Sequence, residues 1–247
     1  MNLIRSALFN VVFIGGTALT AVMGIPLLLA PQRVMIAYVR GWAWLMVTSL
    51  RVICGVRLEV TGMHHIPQGG AIIAGKHQSA FDTFVWSMLL PAPVYVLKKE
   101  LMSIPVWGWL AKRCGHVSVD REAGAPALRG MVKATKAAIA EGRPVVIFPE
   151  GTRSAPGERV PYQPGVAALA MASGAVVVPA ATDSGRFWGR RGFHKRPGTL
   201  HISVLPPLPL GLPRAAFMAA LEETIETETA RLMALPGPVE NLAENRA

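Results

Sequence analysis

Two short polar clusters in this chain hold residue types suited to acid–base work. The first is Lys76-His77-Gln78-Ser79-Ala80-Phe81-Asp82. A neutral imidazole held by a carboxylate is a general base, and the carboxylate fixes its tautomer. On one continuous helix His77 and Asp82 would stand about 140° apart at 3.6 residues per turn. They can meet only if a helix begins between them. Ser79 is a good N-cap, and Ser79-x-x-Asp82 fits a capping box. That leaves His77 in the preceding loop, free to fold back onto Asp82. The same residues also fit a plain helix cap with a surface histidine nearby.

The second cluster is Phe148-Pro149-Glu150-Gly151-Thr152-Arg153-Ser154. Gly151 permits a tight turn. Arg153 can bind a phosphate or carboxylate through two parallel hydrogen bonds, which lysine cannot do. Glu150 can hold that guanidinium or a substrate hydroxyl. A strand-end turn with a local Glu–Arg pair fits as well. Gly115-His116-Val117-Ser118-Val119-Asp120-Arg121 ends a strand in an Asp–Arg pair, and Val178-Pro179-Ala180 ends another at proline. Lys98 and Lys99 follow a strand and precede Glu100-Leu101-x-x-Ile104-Pro105. Arg186, Arg190, Arg191, Lys195 and Arg196 are interleaved with Phe187, Trp188 and Phe193, a mixture that suits an anionic interface.

Short runs with β-branched residues predict strands at 57–60, 71–74, 94–97, 117–119, 145–148, 176–180 and 200–205. Helical patterns fall between them at 81–90, 104–113, 125–140, 166–172 and 215–234. This alternation predicts an α/β domain, with a mixed, mostly parallel sheet flanked by helices. Both polar clusters then follow strands, at the end where α/β folds place their ligands.

The first fifth of the chain is different. No charged residue occurs from Ser6 to Gln32, long enough for Ala7–Ala30 to span a bilayer as helix. Pro26 predicts a kink or an end there. A second apolar stretch, Val34 to Leu50, carries Arg40 in its middle and reads as a helix lying in the interface, with Tyr38, Trp42 and Trp44 at headgroup level. Every charge before Glu59 is an arginine, which suits an anionic cytoplasmic leaflet. The expected organisation is a helical membrane anchor over 1–56, an α/β domain over 57–235 and a tail over 236–247.

Composition supports a membrane partner over nucleic acid. Of the 247 residues, 51% are hydrophobic and only 16% charged, with a net charge of +10. The excess apolar surface needs a bilayer, the basic balance needs anions, and no nucleic-acid-binding motif is present. Cys54 and Cys114 have neither metal-ligand nor disulfide-framework spacing, so a reducing compartment fits.

Taken together, the His77-x4-Asp82, Val119-Asp120-Arg121, Phe148-Pro149-Glu150-Gly151-Thr152-Arg153 and Val178-Pro179 boxes resemble those of the glycerolipid acyltransferase family, specifically the bacterial 1-acylglycerol-3-phosphate acyltransferases. The likeness runs from about Leu58 to Leu208, and the apolar pair before it resembles the family's membrane hairpin. It differs in having Lys76 where Asn often precedes the histidine, and Asp183 where Asn is frequent. The resemblance implies transfer of an acyl group from acyl-CoA or acyl-ACP, a cosubstrate and not a bound cofactor, to a lysophospholipid hydroxyl at the inner (cytoplasmic) membrane. His77 would take the hydroxyl proton and Asp82 would orient the imidazole. Glu150, Gly151, Thr152 and Arg153, with Arg121 and Lys99, would hold the glycerol phosphate. No metal is implied. Other acceptors, a lyso-ornithine lipid or glycerol 3-phosphate, share these boxes. A serine lipase or esterase using Ser79, Ser154 or Ser184 is a rival from another class, although no G-x-S-x-G elbow is present. A membrane scaffold without catalysis is a third.

Overall fold

The short apolar runs form strands and the patterned segments between them form helices in the computed structural model, which describes residues 2–120 and 124–239. In chain order these are α1 (Asn2–Met23), α2 (Gln32–Cys54), β1 (Val56–Thr61), β2 (Ile72–Gly75), α3 (Asp82–Leu89), β3 (Val94–Lys98), α4 (Trp107–Arg113), β4 (Val117–Val119), α5 (Gly124–Ala140), β5 (Val145–Ile147), α6 (Gly165–Ser173), β6 (Val177–Thr182), α7 (Ser184–Phe187), β7 (Gly198–Val204) and α8 (Arg214–Met233). Among the described residues, seven strands form one sheet in the order β1-β7-β6-β2-β5-β3-β4. Neighbours are parallel except β6 and β7. The sheet is mixed and mostly parallel, as its alternating pattern predicts. Helix α4 starts three residues later than its apolar pattern, because Pro105 holds Ile104 extended.

Side chains alternate across a strand, and β2 divides the core accordingly. Ile73 joins one cluster with Phe9, Ala43, Met46 and Leu50 of the two amino-terminal helices and Phe84 of α3. Ile72 and Ala74 join another with Met131 of α5, Val166 of α6 and Leu221 of α8. So α1, α2 and α3 cover one face, and α5, α6 and α8 cover the other. The parallel strands β2 and β5 lie side by side, with Ala74 opposite Ile147. The chain leaves β2 toward α3 on one face and leaves β5 toward α6 on the other. Two adjacent strands whose connections diverge in this way open a crevice at their carboxyl ends.

Helix α1 ends at Met23, three residues before Pro26, and a short 3-10 segment (Ile25–Leu29) turns the chain into α2. Leu3–Met23 is long and apolar enough to cross a membrane. Phe9 is fully buried and meets Trp188 edge to face at 5.3 Å, while Ile4, Val11 and Ile14 stay exposed. On α2 the side chains of Met35, Ala43, Met46, Leu50 and Cys54 are buried, whereas Arg40 and Trp44 face outward. Gly55 ends α2 in the left-handed region (φ 71°), which a side chain would strain, and its N–H returns to the Arg51 carbonyl at 2.9 Å. The hairpin therefore gives one stripe to the domain's core and leaves a second apolar stripe outside.

The basic–aromatic segment does not lie wholly on the surface. Phe187 and Trp188 are buried, and Lys195 sits under the Trp188 ring at 4.7 Å. Arg186 donates to the Leu232 and Leu235 carbonyls at the end of α8, at 3.2 and 3.1 Å. Beyond Pro236 the chain is still attached: Val239 N–H donates to Pro197 O at 2.9 Å.

Candidate active site

Helix α3 begins at Asp82, so His77 lies five residues ahead of it in the loop after β2. The capping arrangement is half of the predicted box. Asp82 Oδ2 reaches back to the N–H groups of Gln78 and Ser79, both at 2.8 Å. Ser79 Oγ, however, accepts from Phe81 N–H at 3.1 Å instead of capping the helix. The short turn that results points the His77 ring at the same carboxylate oxygen, with Nδ1 3.2 Å from Asp82 Oδ2. Because a carboxylate accepts, Nδ1 carries the proton and Nε2 keeps its lone pair. The Phe148 ring stacks on the imidazole at 4.2 Å between centroids and an angle of 19°.

The loop after β5 is stitched to this one. Glu150 is buried, and its Oε2 accepts His77 N–H at 2.8 Å. Ser154 Oγ donates to Glu150 Oε1 at 2.8 Å, and Ser154 N–H donates to His77 O at 2.9 Å. Glu150 thus faces inward, making no ion pair with Arg153 among the described residues. Burial raises its pKa, and Lys76, the Ser154 hydroxyl and the His77 N–H oppose that rise. A third strand end contributes through Gln78, whose Oε1 accepts Gly185 N–H at 3.1 Å.

The remaining candidates lie outward. Gly151 turns the loop in the left-handed region at φ 68°. Thr152 is exposed and Arg153 half-exposed, and Arg153 has no hydrogen-bond partner among the described residues. Lys99 reaches Asp120 Oδ2 at 3.0 Å, with 66% of its side chain exposed. Arg121 lies outside the described residues. Residues 76–82, 99, 120 and 150–154 all follow the carboxyl ends of neighbouring parallel strands, so one edge of the sheet collects them.

Sequence reading gave no role to Lys76 or Glu226, although Lys76 Nζ lies 2.6 Å from both Glu150 Oε1 and Glu226 Oε1. The available signal was an acid set among the buried positions Phe217, Leu221, Ile225 and Leu232 of α8. Phe148, at the start of the second polar cluster, is the surface on which the histidine ring rests.

Among the described residues, none of the three candidate nucleophilic serines pairs with a histidine side chain. Ser79 and Ser154 are engaged as above, and the buried Ser184 Oγ has no hydrogen-bond partner among the described residues. A serine needs an adjacent base to act as a nucleophile. Among the described residues no group of three or more His, Cys, Asp or Glu forms a metal site.

A family model described as Acyltransferase matches residues 57–183, a segment that ends before α7, β7 and α8. The chain is 32% identical over 202 residues to a 1-acyl-sn-glycerol-3-phosphate acyltransferase of Pseudomonas aeruginosa, covering 82% of this chain and 79% of that one. It is 30% identical over 171 residues to human 1-acyl-sn-glycerol-3-phosphate acyltransferase alpha, covering 67% of this chain and 59% of the human protein. Its fold is similar to the crystal structure of the 1-acyl-sn-glycerophosphate (LPA) acyltransferase PlsC from Thermotoga maritima, with a TM-score of 0.74, 21% identity, and coverage of 96% and 98%.

Proposed function

This chain belongs to the Acyltransferase family, and from that premise we propose that it moves a fatty acyl group from acyl-CoA or acyl-ACP to the sn-2 hydroxyl of 1-acyl-sn-glycerol 3-phosphate. The product is phosphatidic acid, a precursor for phospholipid biosynthesis. The observation that carries the reading is the His77–Asp82 contact, in which one carboxylate oxygen holds the imidazole at 3.2 Å and two loop N–H groups at 2.8 Å.

The chemistry follows from that geometry. His77 Nε2 takes the proton of the acceptor hydroxyl as the oxygen attacks the thioester carbonyl. Asp82 stabilises the imidazolium that forms. When the tetrahedral intermediate collapses, the C–S bond breaks, and the thiolate leaves with the proton that His77 has held. Neither metal nor bound cofactor enters the step. Arg153, with Thr152, Gly151, Lys99 and Arg121, receives the acceptor phosphate, because a free guanidinium is suited to a phosphate's paired oxygens. Glu150 serves from behind by holding the His77 backbone.

The exposed apolar stripe of α1 and the run of arginines before Glu59 support residence at the cytoplasmic face of the inner membrane. There the crevice can take a lipid hydroxyl from the bilayer and a thioester from water.

One experiment tests the acceptor. Purified full-length protein in lipid is given one labelled acyl donor and three acceptors: 1-acyl-sn-glycerol 3-phosphate, a lyso-ornithine lipid and glycerol 3-phosphate. The first is expected to be acylated fastest. Faster use of either of the others overturns the assignment. Repeating the assay with acyl-CoA and acyl-ACP decides the carrier.

A further inference from the structure

A buried cation stands between two carboxylates directly behind His77. Lys76 is 2% exposed, and its Nζ lies 2.6 Å from Glu150 Oε1 and 2.6 Å from Glu226 Oε1. Glu150 comes from the loop after β5 and Glu226 from the middle of α8. Tyr162 OH donates to the same Glu226 oxygen at 3.0 Å, and Lys76 Nζ also donates to Glu158 O at 3.4 Å. Burial raises the pKa of Tyr162, and the charges of Glu226, Glu150 and Glu222 add to that, so the phenol stays a neutral donor.

Two carboxylates face one ammonium among buried side chains, an excess of acid over base at this point. Buried ion pairs of this kind often stabilise a fold no better than apolar residues of the same volume. The cluster's position suggests another role. Lys76 precedes His77 in the chain, and Glu150 Oε2 accepts the His77 N–H at 2.8 Å. An ionised Glu150 accepts from both His77 N–H and Ser154 Oγ–H. A protonated one would carry a hydrogen of its own and lose part of that capacity.

We propose that Lys76 and Glu226 are positioning residues for the transfer: the Glu226–Lys76–Glu150 bridge ties α8 to the His77 loop and keeps Glu150 in the charge state that holds His77 in register. The inference rests on reading His77 as the acyl-transfer base.

Charge sign makes the proposal testable. Removing the Lys76 cation makes proton uptake easier for Glu150 and for His77, so the acid side of the activity profile moves to higher pH. Removing the Glu226 anion makes proton uptake harder for both, so the acid side moves to lower pH. The direction is the same whichever of the two groups limits the rate.

Full-length protein in lipid nanodiscs is compared with Glu226→Gln, Lys76→Met and the double variant, between pH 5 and 9. The readouts are kcat, acceptor KM and thermal unfolding. Both single variants are expected to lose between about 10- and 100-fold in kcat, as displaced reacting groups do, with acceptor KM nearly unchanged. Their acid limbs are expected to move in opposite directions, each by about one unit. The double variant should regain part of the kcat lost in Lys76→Met. If both folded single variants keep the parent's acid limb, or move it in the same direction, the positioning role is wrong. If Lys76→Met fails to fold, Glu226→Gln decides alone, and an unmoved acid limb overturns the proposal. Carbethoxylation of His77 by diethylpyrocarbonate, followed by mass mapping against pH, separates this inference from the proposed function. Opposite shifts of His77 reactivity in a protein without acyl-transfer activity would reject the function and keep the bridge.

Discussion

His77, Asp82 and Glu150 are buried and hydrogen-bonded to one another's loops, whereas Thr152, Arg153 and Lys99 stand on the same edge of the sheet and reach solvent. The inner group has its geometry set before any substrate arrives: Asp82 Oδ2 alone takes three N–H contacts within 3.2 Å. The outer group is held by little. Arg153 has no partner among the described residues, and the Lys99–Asp120 pair is a solvent-screened surface contact that contributes little. In the proposed reaction proton transfer tolerates little misplacement, which matches the fixed inner group, and an anionic head group would bring its own charge for the long cationic side chains to close on.

Substitutions on the two sides should therefore fail in different ways. His77→Ala should show the largest effect, a fall in kcat of about 10²–10⁴ with the fold retained, since Asp82 keeps its two loop N–H groups. Near-normal turnover by the folded variant would remove His77 from the mechanism. Asp82→Ala should lose both activity and stability. Hydrogen bonds to a charged group contribute about 1.5–3 kcal/mol each, so the melting temperature should drop along with kcat. A variant that melts earlier yet turns over at the parent rate would make Asp82 a helix cap and nothing more.

On the outer side, Arg153→Lys should raise acceptor KM about tenfold with kcat and donor KM little changed, because an ammonium does not reproduce the planar fork. A rise in donor KM instead would assign Arg153 to the carrier's phosphates. Lys99→Met should show the smallest effect, about a twofold rise in acceptor KM that shrinks further in high salt. A loss as large as that of Arg153→Lys would mean that the Lys99–Asp120 pair reorganises around substrate, and the contrast between the two sides would need redrawing.

The amino-terminal helices present a similar division. Their apolar character and the turn near Pro26 are plain in the residues themselves. Their packing is not, since Phe9 and Val11 are both apolar in a charge-free run, yet one is fully buried against Trp188 and the other is 69% exposed. A run without charged residues has no charged face to show which stripe meets the protein.

Features that depend on neighbours along the chain are legible in the residues. The strands and most helix positions follow from burial periods of two and 3.6 residues. A helix beginning between His77 and Asp82 is what lets residues five apart meet, and Gly151 after a buried strand is what lets the chain turn there. Tertiary structure alone decided where Glu150 points and what Lys76 meets. Glu150 was as well placed in sequence to pair with Arg153, three residues away, as with Lys76. It turns inward because β2 and β5 are neighbours, which puts Lys76 Nζ at 2.6 Å and the His77 N–H at 2.8 Å. Glu226 reaches the same ammonium because α8 packs over β6, beside β2. Strand order and helix packing bring together charges far apart in the chain, and no local pattern encodes that encounter.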